Sequence, residues 1–405
     1  MSTTDIRLTS LHDAVRQLSL VADGDSVTIG NTATGNFVAV PEVGGVVLRR
    51  LADGATVDEA AEAARAFAGQ DVDVAEFLAA LEDAGILSYP GDPSTERREV
   101  RWIAGVPQHL ARPLFGRVAW TLYAAAAAFC LLAMVLRPEL RPTFESYMYL
   151  SDPVLSLLTL YGVGLVLVVT HEAWHWLAAR ALGVPARFRV SYRGVFVVAE
   201  TDLSLLLTLP RRRRYGPLLA GLALNTVVLA VALGARWLYF TSWLPVPDVV
   251  ARLFAAVVLS SVYMMVMQCA VFLRTDLYAV LACALRCENL YRISWLTLKR
   301  RLLPLTESEA DELRTASGRD RSVARWFSLL NLVGMLGVAW FMLHFALPAA
   351  AGIVFWTFRN VTSLSTGTVA FWESLAVAVL VCAETLAPIP LAIRERRLRR
   401  AGVLS

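Results

Sequence analysis

Beyond residue 116 the sequence carries long apolar runs, and these constrain the fold more than any other feature of the 405-residue chain. About six runs reach the 18 residues that a helix needs to cross a bilayer, whereas residues 1–90 contain none. With 57% hydrophobic and 18% charged residues, the chain is too apolar for an ordinary soluble protein. The expected fold is a mainly α, polytopic membrane protein with a small N-terminal α+β, winged-helix-like domain, and the lipid bilayer is its first partner.

Basic residues predict the orientation of these runs. If the spans simply alternate, every cluster of Lys and Arg falls on one side, which the positive-inside rule makes cytoplasmic. We therefore expect a multi-pass protein of the cell membrane with both termini in the cytoplasm. Its six spans are residues 118–136, 154–182, 217–240, 249–273, 326–346 and 369–393. Residues 137–153, 241–248 and 347–368 carry few basic residues and are expected as outer loops.

Charge separates the N-terminal head from the membrane body. Residues 1–90 contain 5 Lys and Arg against 14 Asp and Glu, a net charge of −9, which leaves +13 for the remainder. A nucleic-acid-binding head is disfavoured, because phosphates require a basic face. The predicted divisions are a head (1–90), a linker with an interfacial segment (91–116), a core (117–303), a cytoplasmic linker (304–324) and two C-terminal helices with a basic tail (325–405).

The head has the local signals of three strands followed by three helices. Strands are expected at 18–21, 26–29 and 36–40, and helices at 42–51, 57–67 and 74–84. Thr56 with Glu59, and Asp73 with Glu76, have the spacing of helix N-caps, and Gly85 is a stop signal. The predicted core of the head consists of Leu48, Leu51, Phe67, Phe77, Leu78, Leu81 and Ile86.

The run at 165–182, LVLVVTHEAWHWLAARAL, places His171, Glu172 and His175 inside an apolar helix. Placing ionisable side chains in hydrocarbon costs free energy, so their presence there indicates a functional role. Residues 171 and 175 share a helix face, where two imidazoles can hold one Zn²⁺ while Glu172 acts as a base. His171 lies roughly 17 Å before the end of the run, at 1.5 Å per residue, which predicts a site in the inner leaflet.

Catalytic zinc takes three protein ligands, and the third is expected to be a carboxylate. Asp276, at the cytoplasmic end of the predicted fourth span, lies at about the right depth. Glu384, deep in the sixth span, is the alternative ligand or a supporting residue. Glu200 and Asp202 are expected in a solvated loop.

These motifs resemble those of site-2-protease-type intramembrane zinc metalloproteases over about residues 118–300. The resemblance implies a zinc endopeptidase in which His171, His175 and Asp276 hold one Zn²⁺ and Glu172 is the general base. Gly221 and Asn225 match a family segment, so Asn225 is expected to hold the substrate backbone or the oxyanion. Asp276 departs from the family pattern, since Leu277 follows it where glycine is usual. Residues 188–198 are expected to form a hairpin that lines the cleft, or else a short amphipathic connector.

The head resembles the peptide-chaperone domain of pyrroloquinoline quinone biosynthesis, the leader-recognition element of ribosomal-peptide pathways. That resemblance implies a leader groove formed by residues 36–40, which include Phe37 and Val38, and by an exposed face around Phe77 and Leu81. The alternative is a regulatory head without a peptide ligand.

The sequence therefore predicts a zinc endopeptidase that removes the leader of a ribosomally made precursor, with daptide-type pathways as one setting. Peptide-modifying enzymes or an exporter are expected as further partners. The alternatives are regulated intramembrane proteolysis of a signalling protein, and a non-catalytic peptide export or immunity protein.

Overall fold

A computed structural model describes residues 3–23, 26–31, 36–87, 106–193, 196–363 and 366–386, together with 390 and 393. The chain divides into two compact units. The first comprises Met1–Gln108, Ala179–Arg187 and Asp202–Gly216, and the second comprises His109–Ala178, Phe188–Thr201 and Pro217–Ser405.

In the first unit, helix α1 (Thr3–Arg16) precedes an antiparallel sheet in the order β1 (Leu18–Asp23), β2 (Ser26–Asn31) and β3 (Asn36–Pro41). Ile29 pairs with Leu20 on one side and Val38 on the other. Helices α2 (Glu42–Ala52), α3 (Val57–Ala68) and α4 (Val74–Asp83) follow. The three strands and three helices of the head are thus confirmed, whereas α1 was not predicted.

Local capping accounts for the helices of the head. Glu59 N–H donates to Thr56 Oγ1, and Thr56 N–H donates to Glu59 Oε2, which completes the predicted capping box of α3. Asp73 Oδ1 accepts from Glu76 N–H at 2.9 Å at the start of α4. Gly85 ends that helix region with φ of +64°, a conformation that favours glycine.

The head core lies between one face of the sheet and the helices. Val27 and Ile29 of the sheet are fully buried with Leu48 and Leu51 of α2, and Ile86 joins them. The 3₁₀-helix Ser204–Thr208 packs against β1 and β2.

Two predictions for the head are wrong. Phe67 is 58% exposed, because it lies in the last turn of α3, beyond Ala64, the last buried residue of that helix. Leu81 is only 3% exposed and belongs to the core, so it does not lie on an exposed groove face. Phe77 and Leu78 are partly buried against the same core.

The second unit begins with α5 (Gln108–Ala111, whose first residue belongs to the first unit) and α6 (Arg117–Leu136). Along the chain, the long helix α7 (Pro153–Ala181) is followed by a two-stranded sheet of β4 (Arg187–Arg193) and β5 (Phe196–Asp202). The second long helix, α8 (Arg211–Phe240), comes after this sheet. The hairpin expected at 188–198 is therefore present, and residues 194–195 lie outside the described chain. Residues Ala179–Arg187 and Asp202–Gly216 of this stretch belong to the first unit.

The remaining helices are α9 (Asp248–Gln268), α10 (Asp276–Leu285), α11 (Leu290–Leu302), α12 (Glu307–Thr315), α13 (Gly318–Phe341), α14 (Leu347–Ser363) and α15 (Val369–Leu386). A π-helix, Met342–Ala346, joins α13 to α14.

Among the described residues, five helices are long and apolar enough to cross a membrane, against six predicted. They are Arg117–Leu136, Pro153–Ala181, Arg211–Phe240, Asp248–Gln268 and Gly318–His344. The sixth predicted span, 369–393, begins with the apolar helix α15, and most of its residues beyond Leu386 lie outside the described chain, so its full length stays a prediction.

Two further predictions for the membrane body are wrong. The fourth span ends at Gln268 and not at 273, because the chain leaves the α-helix at Ala270 (ψ 60°) and forms a short 3₁₀-helix, Val271–Leu273, before α10. The predicted outer loop at 347–368 contains helix α14. The π-helix Met342–Ala346 runs directly into α14, so the chain stays helical past Pro348 instead of leaving the helix at the proline.

Candidate metal centre

Helix α7 presents two histidines on one buried face. His171 and His175 are 4% and 2% exposed, and their Nε2 atoms lie 3.1 Å apart. One turn of helix separates them, so both rings leave the helix in the same direction. The prediction that residues 171 and 175 share one face of a helix is thus confirmed, and their imidazole rings are adjacent.

Asp276, the first residue of α10, completes a triangle with the two rings. Its Oδ2 lies 2.9 Å from His171 Nε2 and 3.2 Å from His175 Nε2. Of the described residues, these three form a group whose donor atoms converge tightly enough to hold a metal ion. Zinc ligands at 2.0–2.1 Å in a tetrahedron are separated by about 3.3 Å, which matches the edges of this triangle.

The orientation of His175 supports the same interpretation. Its Nδ1 lies 2.7 Å from the carbonyl oxygen of Pro217, within α8, so Nδ1–H donates and Nε2 keeps its lone pair. Histidines that bind metals are typically held in this way through their second ring nitrogen. His171 Nδ1 is buried and has no hydrogen-bond partner among the described residues. The donor set therefore fits a zinc ion.

Gln268 fixes the start of α10 where Asp276 lies. The side-chain oxygen of Gln268 accepts from Asp276 N–H at 3.0 Å, and Thr275 Oγ1 donates to the Gln268 carbonyl at 2.7 Å. These two bonds connect the last residue of α9 to the first residue of α10 and to Thr275, which precedes it. Asp276 is thus positioned by a helix start rather than by the end of a long span.

Strand β5 holds Glu172. Glu172 Oε2 accepts from the backbone N–H of Thr201 at 2.7 Å, and Thr201 Oγ1 donates to the Glu172 carbonyl at 2.9 Å. The carboxylate is therefore tied to the hairpin that follows α7. Glu200 and Asp202, expected in a loop, also lie in β5, and Asp202 Oδ1 accepts from Ser204 N–H.

Helix α8 closes the site on the side of the imidazoles. A Cβ atom at Gly221 would lie 2.3 Å from His171 Cε1 and 2.5 Å from His175 Nε2, so only glycine leaves room for both rings. Asn225, one turn later, is 3% exposed, and its Nδ2 has no hydrogen-bond partner among the described residues. An unpaired buried amide donor is available to a ligand.

The structure brings together His171, His175 and Asp276, with Glu172 adjacent to His171 in α7. The side chain of Glu384, the alternative ligand, lies outside the described part of the chain, although its backbone belongs to α15. Phe37, Val38, Phe77 and Leu81 belong to the first unit. Sequence reasoning missed three supporting groups: Thr201, Gln268 and the carbonyl of Pro217. None of them forms part of a recognisable motif, whereas Gly221 was noted for its match to a family segment, although the room that it leaves for the two rings was not predicted.

No protein-family model, curated protein or solved structure matches the chain. The functional assignment therefore rests on the geometry of the centre and on the residue patterns that led to it.

Proposed function

We propose that this protein is a zinc endopeptidase whose active site lies within the membrane body. The observation that carries the proposal is the triangle of His171 Nε2, His175 Nε2 and Asp276 Oδ2, with edges of 2.9, 3.1 and 3.2 Å. Two imidazoles and one carboxylate are the ligand set of many hydrolytic zinc sites, and they leave one position for water or substrate. Bound zinc supplies Lewis acidity to a carbonyl group and lowers the pKa of water.

The proposed roles of the chain's own residues follow from their positions. Glu172 takes a proton from the attacking water while the water oxygen bonds to the scissile carbonyl carbon. It then passes that proton to the amine as the carbon–nitrogen bond breaks. The Thr201 N–H holds the carboxylate in one orientation for both transfers. The unpaired amide of Asn225 is assigned to the carbonyl oxygen of the substrate.

The substrate we propose is an extended peptide. Helices hide their amide groups in internal hydrogen bonds, so a scissile segment must first be unwound. The hairpin of β4 and β5 supplies an edge to which an extended chain can add as a strand. Because Thr201 belongs to β5, the residue that orients Glu172 is part of the same hairpin.

For the head we propose recognition of the leader of a ribosomally made precursor, so that cleavage removes the leader at the cytoplasmic side. Within the described chain β3 pairs with β2 alone and is an edge strand. Asn36, at its start, donates to the carbonyls of Ala84 and Gly85, which places the end of α4 beside that edge. Phe37 and Val38 on β3, and Phe77 on α4, are the proposed contacts, without Leu81.

A direct test compares Glu172→Gln with Glu82→Gln, an exposed carboxylate of the head used as a matched control. The full chain is purified in detergent with zinc and incubated with precursor peptides encoded near its gene, and the products are identified by mass. We expect both variants to bind zinc like the wild type and only Glu172→Gln to lose cleavage. Equal cleavage by the two variants contradicts the assignment of the base.

The same assay separates the alternative functions. Cleavage of a membrane-bound signalling protein without cleavage of any leader supports regulated intramembrane proteolysis. Bound zinc without turnover of any peptide supports a structural metal in an export or immunity protein.

A further inference from the structure

A basic recess lies away from the metal ligands, between α11, α12 and the first two turns of α13. Its volume is about 450 Å³. Four arginines line it, namely Arg300, Arg314, Arg321 and Arg325, and all four are exposed. Its inner wall is less polar and includes Leu313, which is 7% exposed. The recess thus combines a cationic rim with an apolar wall.

The charge of the rim is only partly balanced. Within the described chain, Asp311 is the one carboxylate that pairs with these arginines, through a contact of 3.2 Å to Arg314. Arg321 donates to the carbonyl of Arg314 and Arg325 donates to Ser322 Oγ, which are both neutral acceptors.

Other carboxylates near the recess are already engaged. Glu309 accepts from Lys299, and Glu312 accepts from Arg292 in a forked pair. Asp320 is 3% exposed and accepts from the neutral Ser317 hydroxyl through Oδ2, while its Oδ1 has no hydrogen-bond partner among the described residues, so it offsets one of the four positive charges of the arginines. A net positive charge therefore remains at the rim for an anion from outside the chain.

The position of the recess favours an anion of the bilayer surface. Gly318–His344 is one of the candidate membrane spans, and the recess lies at its first turns. Basic pockets at the ends of membrane helices suit the headgroups of anionic lipids. Arginine matches the geometry of phosphate with two parallel N–H groups, which a single positive point charge cannot do.

We propose that this recess binds a phosphate group, carried either by an anionic phospholipid headgroup or by a free phosphate. The apolar wall at Leu313 accommodates the glycerol and upper acyl carbons of a lipid. Binding at the recess does not depend on zinc or on peptide cleavage. Each basic residue near an anionic surface contributes about 1 kcal/mol, or about fivefold in affinity, so loss of two arginines weakens binding about 25-fold.

The test uses the full chain in delipidated detergent solution. Three ligands are titrated separately: dioleoylphosphatidylglycerol in mixed micelles, dioleoylphosphatidylcholine in mixed micelles, and inorganic phosphate in buffer. Bound lipid is counted by native mass spectrometry, and affinities are taken from titration calorimetry. The recess variant is Arg321→Gln with Arg325→Gln, and the matched control is Arg50→Gln with Arg65→Gln, two exposed arginines of the head that lie outside every candidate membrane span.

We expect phosphatidylglycerol to bind the wild type and the control, and to bind the recess variant about 25-fold more weakly. If inorganic phosphate binds with the same dependence on the arginines, the proposal holds with a soluble source of phosphate. Equal affinity of the recess variant and the control for phosphatidylglycerol overturns it, and so does equal binding of phosphatidylcholine. If the first variant does not stay monodisperse, Arg300→Gln with Arg314→Gln tests the same rim from α11 and α12.

Discussion

Replacement of Gly221 by alanine tests the placement of α8 against the two histidines. A Cβ atom at this position would lie 2.3 Å from His171 Cε1, 2.4 Å from His171 Nε2 and 2.5 Å from His175 Nε2. Unbonded carbon atoms pack at about 3.5–4.0 Å, so the added methyl group overlaps both rings by about 1 Å. His175 cannot swing away freely, because its Nδ1 is bonded to the Pro217 carbonyl at 2.7 Å.

The size of the effect follows from this overlap. Adding a methyl group to a packed interior costs about 1–3 kcal/mol. If the rings relieve the strain by leaving their metal-binding positions, zinc affinity falls by the same energy, which corresponds to about 5- to 150-fold. Gly234, on the same helix, is the matched control, since nothing lies within 4 Å of a Cβ atom there. Gly234→Ala is expected to stabilise α8 by about 0.5–1 kcal/mol and to leave zinc binding unchanged.

The measurement is zinc affinity of the full chain in detergent, by competition with a chromophoric chelator. Zinc per chain is determined in parallel by elemental analysis, and helix content by circular dichroism. Gly221→Ala should keep its helix content and lose zinc affinity. Zinc affinity within twofold of Gly234→Ala refutes the close approach of α8 to the two imidazoles.

Three further predictions concern other parts of the chain. Asp276→Ala should abolish bound zinc while Glu384→Ala keeps it, measured as zinc per chain; the reverse pattern would make Glu384 the third ligand. Thr56→Ala removes the cap of α3 and should lower the free energy of opening of residues 57–68 by about 1 kcal/mol in hydrogen exchange of the full chain; unchanged protection contradicts the capping box. The hydrogen bond from Lys299 lowers the pKa of Glu309 from 4.5 to about 2. Its stabilising contribution is therefore present above pH 4.5 and lost as the pH falls toward 2, so α12 should lose exchange protection in that window, and Glu309→Gln should remove this dependence.

Local signals suffice to predict most of the head from its sequence. The capping box of Thr56 and Glu59 involves groups three residues apart, so its pattern is visible without knowledge of the fold. Whether a side chain is buried depends on contacts with residues far away in the sequence, so local patterns predict it less well. Phe67 continues the apolar pattern of α3 but lies where the helix extends past the core, and periodicity alone does not show where a core ends. Helix α1 was missed because its sequence is largely polar and has only weak apolar periodicity, although Ser2 and Asp5 have the spacing of a helix start.

In the candidate site, too, local spacing predicts some of the residues, and others become apparent only in the folded structure. The spacing of His171, Glu172 and His175 within one helix is sufficient to predict two adjacent imidazoles with a carboxylate next to them. Asp276 is more than 100 residues away in sequence, so residue reasoning alone could favour it over Glu384 only by its expected depth in the membrane. The contacts of Thr201 and Pro217 pass through backbone groups, which every residue has, so no side-chain pattern could reveal them.

The separation of the ligands also determines when the site can exist. His171 precedes Asp276 by 105 residues, and α8 and α9 lie between them. At about 5–20 residues per second, a ribosome needs about 5–20 s to add that length of chain. During this interval the nascent protein has both histidines but lacks its third ligand and the helix start that holds it. The chain therefore cannot assemble the proposed metal centre until its fourth long helix has been made, so the proposed endopeptidase is inactive throughout this interval.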